Sequence, residues 1–466
     1  MNIDIFPDRV NDLSLDERKA LQRLLDIYRA HEFANAEKNR YYEGSIKLGE
    51  VNLGIALPHG MRGLEIGCAW GAKTVDVLAA RSMFDGFVGQ NGEPVEELKE
   101  IVEYNNLIAA YPTATRDELK MGCTFATIVG FRPSPDAPID AKIRFYSPAS
   151  AAGIYDGDKG RLTYGFSIVG TTEENGYNHA WRLYFFTETA VIVLTRMAKD
   201  SWVATRYPHK MGRPLMEPLV YNATSDKPLG RSRLKGPIRN LIKGYVRTMA
   251  NATIALEFST APQKYILGVT DEQYDALIND KFKQYVGSII AATTNPETGE
   301  KPTFGQLQQG TLAPHTEMLR DLATQFSAAT GLPIHETGVV NDANPTSSDA
   351  IEAQTKTLVG MAEELNAGNG EALRTIALMA LAVKRDVALA DLPPEDTAIM
   401  AHFKNPAMPS VAATADAAVK IASVRQAFAQ TDTYLEMVGF SQADIRRINA
   451  QERKARGLAL VDNLEA

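Results

Sequence analysis

The hydrophobic period of the chain turns to that of strands at Cys123 and back to that of helices near Gly230, and this grouping limits the folds open to it. Between Cys123 and Val220 the segments ATIVGF, AKIRFYS, RLTYGFSIV, AWRLYFF, AVIVLT and SWVATRY are short, β-branched and aromatic. Gly, Asn and Asp clusters separate them, as expected for strands of an antiparallel sheet region. From Gly230 the spacing turns helical, with Leu234, Ile238, Leu241, Ile242, Tyr245 and Met249 on one stripe. Pro237 falls in the first turn of that helix, where its missing N–H costs nothing. Strands and helices grouped in separate blocks point to an α+β chain rather than an alternating βα series.

The remaining signals are local. Residues 14 to 31 read as an amphipathic helix with Leu21, Leu24, Leu25 and Tyr28 inward, Ser14 as N-cap and Glu17 completing a capping box. Tyr41-Tyr42-Glu43-Gly44 follows as a polar turn. Residues 261 to 312 are mixed, with one helical stretch, DEQYDALINDKFKQYV, and a Gly/Pro/Thr-rich one, NPETGEKPTFG. A helix then ends at Gly331-Leu332-Pro333. A turn-rich loop follows, and a second helix starts near Ser348, with Asp349-x-x-Glu352 resembling a capping box. This helix continues past residue 380, with a weak point at AGNG. Pro393-Pro394, Pro406 and Pro409 punctuate its far side. The tail holds a helix over 412–430, a stop at Gly439, an N-cap at Ser441 and a final charged helix.

With 466 residues, 45% of them hydrophobic and 23% charged, the chain can bury a substantial core. A net charge of −8 argues against coating nucleic acid with the whole surface. Two cysteines, Cys68 and Cys123, imply no disulfide framework. No signal peptide and no membrane span are expected, so the chain reads as soluble and intracellular. The seven histidines show no paired metal-ligand spacing, and Asp156 and Asp158 in YDGDKG read as a hairpin turn.

One segment imitates enzymes. Gly63-Leu64-Glu65-Ile66-Gly67-Cys68-Ala69-Trp70-Gly71-Ala72-Lys73-Thr74 ends in the Lys-Thr of a phosphate loop, but Ala72 stands where that loop needs glycine. LEIGCAWG also resembles the glycine-rich loop of nucleotide-cofactor methyltransferases, with Asp85 at a tempting distance. AKTVDVLAARSMF reads instead as one continuous helix packing Val75, Leu78 and Phe84. Antiparallel strands rather than βα units follow it. No metal, cofactor or catalytic constellation emerges, so no enzyme is expected; the methyltransferase remains the alternative.

Arg231, Arg233, Lys235, Arg239, Lys243 and Arg247 form a basic run with no acid among them. Lys235, Arg239, Lys243 and Arg247 step by four and form a slowly drifting stripe. Such a stripe is either a solvated face or one that meets phosphates or an acidic neighbouring subunit.

Several motifs now align with one family. Pro208-His209-Lys210-Met211-Gly212-Arg213-Pro214-Leu215-Met216-Glu217-Pro218, then Pro228-Leu229-Gly230-Arg231-Ser232 opening a helix, resembles the portal (head-to-tail connector) proteins of tailed bacteriophages. Trp70 to Phe87 is similar to the family's "W…VD…R…GF" stretch. Leu322 to Ile351, with TGLPIHETG and then SSDAI, resembles its helix, break, polar loop and helix start. The resemblance covers roughly residues 40 to 450, and its weight lies in the order and spacing of the motifs.

The resemblance implies a portal-type fold with a strand-containing wing, a two-helix stem, a small α/β clip, a long wing helix and a helical crown. On this chain it implies a wing over 1–232, a stem helix over 233–260 and a clip over 261–312. A second stem helix over 313–331 and a tunnel loop over 332–348 come next. The long helix and the rest of the wing span 349–404, and crown and tail span 405–466. It also implies a homo-dodecameric ring at one capsid vertex, with double-stranded DNA passing through during packaging and ejection. Partners would be the large terminase (packaging ATPase), the head-to-tail adaptor and the major capsid protein or scaffold. The location would be the virion, and the host cytoplasm during assembly.

The loop itself carries His335, Glu336, Asn341, Asp342 and Asn344 and no Lys or Arg. A channel that lets DNA slide should not grip phosphates, because each neutralised phosphate adds salt-sensitive affinity. Whether His335 and Glu336 face DNA or hold the loop in place is open at this level.

Overall fold

The structure, a computed structural model, describes residues 3–4, 10, 12–47, 65–89, 95–132, 134, 137–174, 176–198, 201–260, 264–272, 275, 294, 299, 301–306, 311–339, 348–407, 411–440 and 442–465. The chain divides into two units, Met1–Lys404 and Asn405–Ala466.

In the first unit, β1 (Ile3–Asp4) precedes α1 (Leu15–Glu43). Ser14 and Glu17 form the expected reciprocal capping box. The helix runs twelve residues further than the apolar stripe suggested, so Tyr41-Tyr42-Glu43 is its last turn and not a polar turn. Gly44, at φ 74°, is its left-handed C-cap. Tyr41 is buried in the core, which is why the helix continues.

Next come β2 (Ser45–Lys47), β3 (Glu65–Gly67), α2 (Trp70–Ala79) and β4 (Phe84–Val88). Here the continuous helix expected over AKTVDVLAARSMF is corrected. It stops at Ala79, and Phe84 enters the core from a strand. The nucleotide-loop geometry is absent too, because β3 pairs antiparallel with β2 rather than opening a βαβ unit. Gly71 has a steric explanation: a Cβ there would sit 1.9 Å from the Tyr41 carbonyl oxygen, so only glycine lets α2 start against the end of α1. Asp85 lies within β4, 3.6 Å from Lys404 and 3.8 Å from His402.

Two helices follow that the sequence patterns missed, α3 (Glu96–Tyr104) and α4 (Leu107–Met121). Pro112 sits inside α4 and reads as a breaker. The helix persists because Leu107, Tyr111, Ala114, Glu118 and Leu119 bury one continuous face.

The strand block is as expected antiparallel, and it divides into two sheets. β5 (Cys123–Phe131) lies between β6 (Asp140–Tyr146) and β12 (Met216–Val220). The larger sheet has the order β11-β10-β9-β8-β7, built from β7 (Ala151–Asp156), β8 (Arg161–Glu174), β9 (Tyr177–Phe186), β10 (Ala190–Ala198) and β11 (Ser201–Pro208). β1 adds to it parallel to β9. YDGDKG is the β7–β8 hairpin turn, as expected. Leu21, Leu24, Leu25 and Tyr28 of α1 cover one face of this sheet.

The rest of the unit is mainly helical. α5 (Gly236–Thr260) leads to the two-stranded pair β13 (Lys264–Leu267) and β14 (Thr303–Gln306), then to α6 (Ala313–Thr330). Most of the segment between β13 and β14, including nearly all of DEQYDALINDKFKQYV, lies outside the described residues. α7 (Ser348–Arg385) passes through AGNG without a break. Asp349 is inside its first turn rather than at its cap. α8 (Pro394–Thr397) and β15 (Met400–Phe403) follow, and β15 pairs with β4.

The second unit holds α9 (Val411–Val424), a 3-10 turn (Gln426–Gln430), α10 (Asp432–Val438) and α11 (Gln442–Glu465). The helix expected over 412–430 therefore ends early and tightens into the 3-10 turn. Gly439, at φ 107°, stops α10 as expected; Ser441 lies outside the described residues. No described helix is long and apolar enough to cross a membrane.

Candidate functional site

The sequence features singled out above converge where α2, the start of α5, the end of α6 and the turn after it pack together. Ile238, Ile242, Val246 and Ala250 of α5 share one core with Leu322, Ala323 and Phe326 of α6 and with Trp70, Val75 and Leu78 of α2. The Trp70 ring stacks on Phe326, with centroids 4.6 Å apart, and tilts against Tyr245 at 4.8 Å.

Gly331, at φ 69°, caps α6, and Pro333 starts a short 3-10 turn, Ile334–Thr337. The first part of the expected loop is therefore ordered and anchored on α2. Trp70 Nε1 donates to the Thr337 carbonyl at 3.1 Å. Lys73 Nζ donates to Glu336 Oε2 at 2.7 Å. Lys73, the residue that imitates a phosphate-loop lysine, is thus the counter-ion of the loop. This half-exposed pair adds at most about 1 kcal/mol, so its role is mainly to orient. His335 is exposed, 3.9 Å from Glu336 Oε1. Asn341, Asp342 and Asn344 lie outside the described residues.

The Trp70 hydrogen bond can be tested alone. Trp70→Phe keeps the ring stacking and removes the donor. It is expected to cost about 1 kcal/mol locally, or roughly fivefold faster amide exchange over residues 334–339. Hydrogen-exchange mass spectrometry checks this; unchanged exchange would mean the anchor contributes nothing.

The basic run separates into different environments. Arg233 is not on a surface stripe; it is 4% exposed. Its Nε donates to the Thr74 carbonyl, Nη1 to the Tyr221 hydroxyl at 2.9 Å and Nη2 to the Thr330 carbonyl at 2.7 Å. Thr330 ends α6, so the cation meets the negative end of that helix dipole. The same contact sets the start of α5 beside the end of α6, so the two helices run antiparallel. Ser232 accepts from the Leu234 amide and donates to the Lys120 carbonyl. Gly230, at φ 76°, has the Tyr221 and Gly122 carbonyls 2.4 and 2.5 Å from where a Cβ would stand. The Gly-Arg-Ser segment is thus a tight crossing that delivers Arg233 inward.

Of the stripe itself, Lys235 is exposed and precedes α5. Arg239 pairs with Glu37 of α1 and lies over the Tyr41 ring, 5.8 Å from its centroid. Lys243 lies 5.9 Å from the same ring. Arg247 is exposed one turn further along. Two of the four stripe residues therefore lean on the chain's own α1.

Sequence patterns missed a second buried polar cluster. Asn369, inside the AGNG segment, donates to Tyr111 Oη at 2.9 Å and to Glu118 Oε2 at 2.8 Å. Ser82 Oγ is 2.8 Å from the same Tyr111 hydroxyl. Burial pushes the Glu118 carboxyl up to about 8, so it is protonated at neutral pH. Burial likewise raises Glu217 to about 7, although Arg213 beside it pulls the other way. Among the described residues no group of three His, Cys, Asp or Glu side chains stands ready to hold a metal.

Comparison with known proteins gives likenesses in sequence and in structure. No family model matches the chain. Two curated proteins, each named Portal protein, match nearly end to end. That of Mycobacterium phage D29 is 26% identical over 436 residues, spanning 91% of this chain and 86% of its own. That of Mycobacterium phage L5 is 26% identical over 443 residues, spanning 92% and 87%. Among solved structures, a chain of the "Virion of native gene transfer agent (GTA) particle" is 14% identical over 80% of this chain and 90% of its own, with a TM-score of 0.47. A chain of the "Neck of native GTA particle computed with C12 symmetry" is 13% identical over 80% and 90%, with a TM-score of 0.46. Over nearly its whole length the chain is similar to two mycobacteriophage proteins named as portals.

Proposed function

We propose that the chain is a portal subunit that assembles into a ring, of twelve copies, at one vertex of a phage capsid. Its channel passes double-stranded DNA during packaging and ejection. The ring docks the packaging ATPase and later the head-to-tail adaptor, and it sits among the major capsid or scaffold proteins. The observation that carries this reading is the nearly full-length similarity to two proteins named as portals. The antiparallel pair α5 and α6 takes the role of the stem. The segment between them is the clip, the strand-bearing region before them with part of α7 is the wing, and residues beyond 405 are the crown. At about 1.5 Å per residue, the 25 residues of α5 span roughly 37 Å, long enough to line a channel wall.

In this reading residues 332–347 form the channel constriction. Glu336 and His335 belong to its anchored base on α2, while Asn341, Asp342 and Asn344 fall in the part that meets DNA. Lys235, Arg239, Lys243 and Arg247 serve the ring rather than gripping phosphates, since two of them are already held by α1.

Electron microscopy of the purified chain is the direct test; particles of single-chain mass with no annular views would overturn the ring. The loop has its own test. Removing Val340–Pro345, and sparing the anchored turn Ile334–Thr337, is expected to leave rings intact while genome-containing particles fall at least tenfold. A normal yield of filled particles would remove the constriction from the proposal.

A further inference from the structure

A cavity of about 630 Å³ opens between α1, β7 and the crossing that leads into α5. Among the described residues, His31, Lys38, Lys227, Arg231, Lys235 and Arg239 line it, and no Asp or Glu does. Its remaining wall is largely apolar, with Phe125, Met121 and Leu234. This concentration of positive charge occurs in a chain whose net charge is −8. Two of the cations are answered from outside the cavity: Arg231 by Asp226 at 3.0 Å and Arg239 by Glu37. Among the described residues Lys38 has only neutral hydrogen-bond partners, Asn35 Oδ1 and the Met121 carbonyl, each at 3.1 Å. Among the described residues no carboxylate forms an ion pair with Lys38 or Lys235, and Lys227 acts on the neighbouring Asp226 through its charge without a close ion pair.

We propose that this cavity receives a carboxylate-bearing segment from a second copy of the chain. The proposal rests on the ring described above and names one of the contacts that closes it. A ring of identical subunits needs a heterologous interface, in which a recess on one copy takes a projection from the next. Charge complementarity favours an acidic projection, and an acidic protein supplies one in its own neighbour. The concave shape and apolar floor argue against duplex DNA, whose phosphates lie on a convex surface. Stripe residues Lys235 and Arg239 thereby gain a role at the subunit boundary.

The test uses the full chain with Lys227→Glu and Lys235→Glu together. Both side chains are exposed, and a glutamate just before α5 suits that helix end, so folding is retained. A second variant, Lys227→Gln with Lys235→Gln, removes charge without reversing it. Sedimentation velocity across protein concentrations reads assembly; melting curves and duplex-DNA binding are read in parallel. The expected result is a tenfold or greater rise in the concentration for half-assembly with Glu and a smaller rise with Gln. Melting is unchanged, and the effect shrinks with added salt. Assembly identical to wild type would overturn the cavity contact while leaving the ring. Intact rings with weakened DNA binding would overturn it in favour of a phosphate site. A wild-type chain that never assembles would overturn the ring reading itself.

Discussion

Arg233→Leu is expected to lower the unfolding free energy by about 4 kcal/mol, read as a shift in the urea midpoint. The magnitude follows from what the side chain holds. Its guanidinium is buried and fills three acceptor positions on three different segments: Thr74 in α2, Tyr221 after β12 and Thr330 at the end of α6. Leucine keeps part of the apolar volume and supplies no donor. The Thr330 carbonyl, which no intrahelical amide can reach, becomes an unmet buried acceptor, and each such group costs about 1–3 kcal/mol. Arg233→Lys should recover only part of the loss, because an ammonium cannot reproduce a planar fork of donors. A loss below about 1 kcal/mol for the leucine variant would show that the crossing is held by its apolar contacts instead.

Arg233 also shows what the sequence could and could not reveal. It stood in a run of cations, and charge periodicity alone places every member of such a run on a surface. Only the tertiary crossing at Gly230 turns it inward. Features with local causes were readable: the Ser14–Glu17 capping box, the β-branched and aromatic strand segments, the apolar stripe of α5, and the stop at Gly331 and start at Ser348. Features with distant causes were not. β4 exists because Phe84–Val88 pairs with Met400–Phe403, more than three hundred residues away. The glycines of the loop that imitates a nucleotide site looked chemical, yet Gly71 answers to the Tyr41 carbonyl. AGNG looked like a weak point, yet Asn369 is there to reach Tyr111 and Glu118.

The candidate site was legible in outline. Its boundaries, the stop at Gly331-Leu332-Pro333 and the helix start at Ser348, follow from local stop and start signals. The anchoring of its first half does not, because Trp70 and Lys73 approach it from more than 260 residues away. Whether His335 and Glu336 hold the loop or face a ligand divides between them: Glu336 is held by Lys73, and His335 is the exposed member.

The stability of the chain should fall as pH rises from 5 to 8, and Glu118→Gln should remove most of that fall. Glu118 is fully buried, and loss of water is the first cause that moves its carboxyl up to about 8; the Asn369 amide pulls weakly the other way. In the unfolded chain the same group ionises near 4.5. Between those values the folded state holds a proton that the unfolded state has lost, so unfolding becomes easier as pH rises. The contribution is fully present below the unfolded value and is lost as pH climbs through the folded one. Relative to its value at pH 4, the wild-type chain loses on the order of 4 kcal/mol by pH 8 through this group. Glu217, raised to about 7, adds in the same direction, while His209, lowered by burial, acts in the opposite one. The difference between wild type and Glu118→Gln isolates Glu118 from both. Glutamine has the same shape and cannot ionise, so the variant should match wild type at pH 4 and exceed it at pH 8. Parallel stability curves across that range would show that Glu118 binds no extra proton in the folded chain and would overturn the prediction.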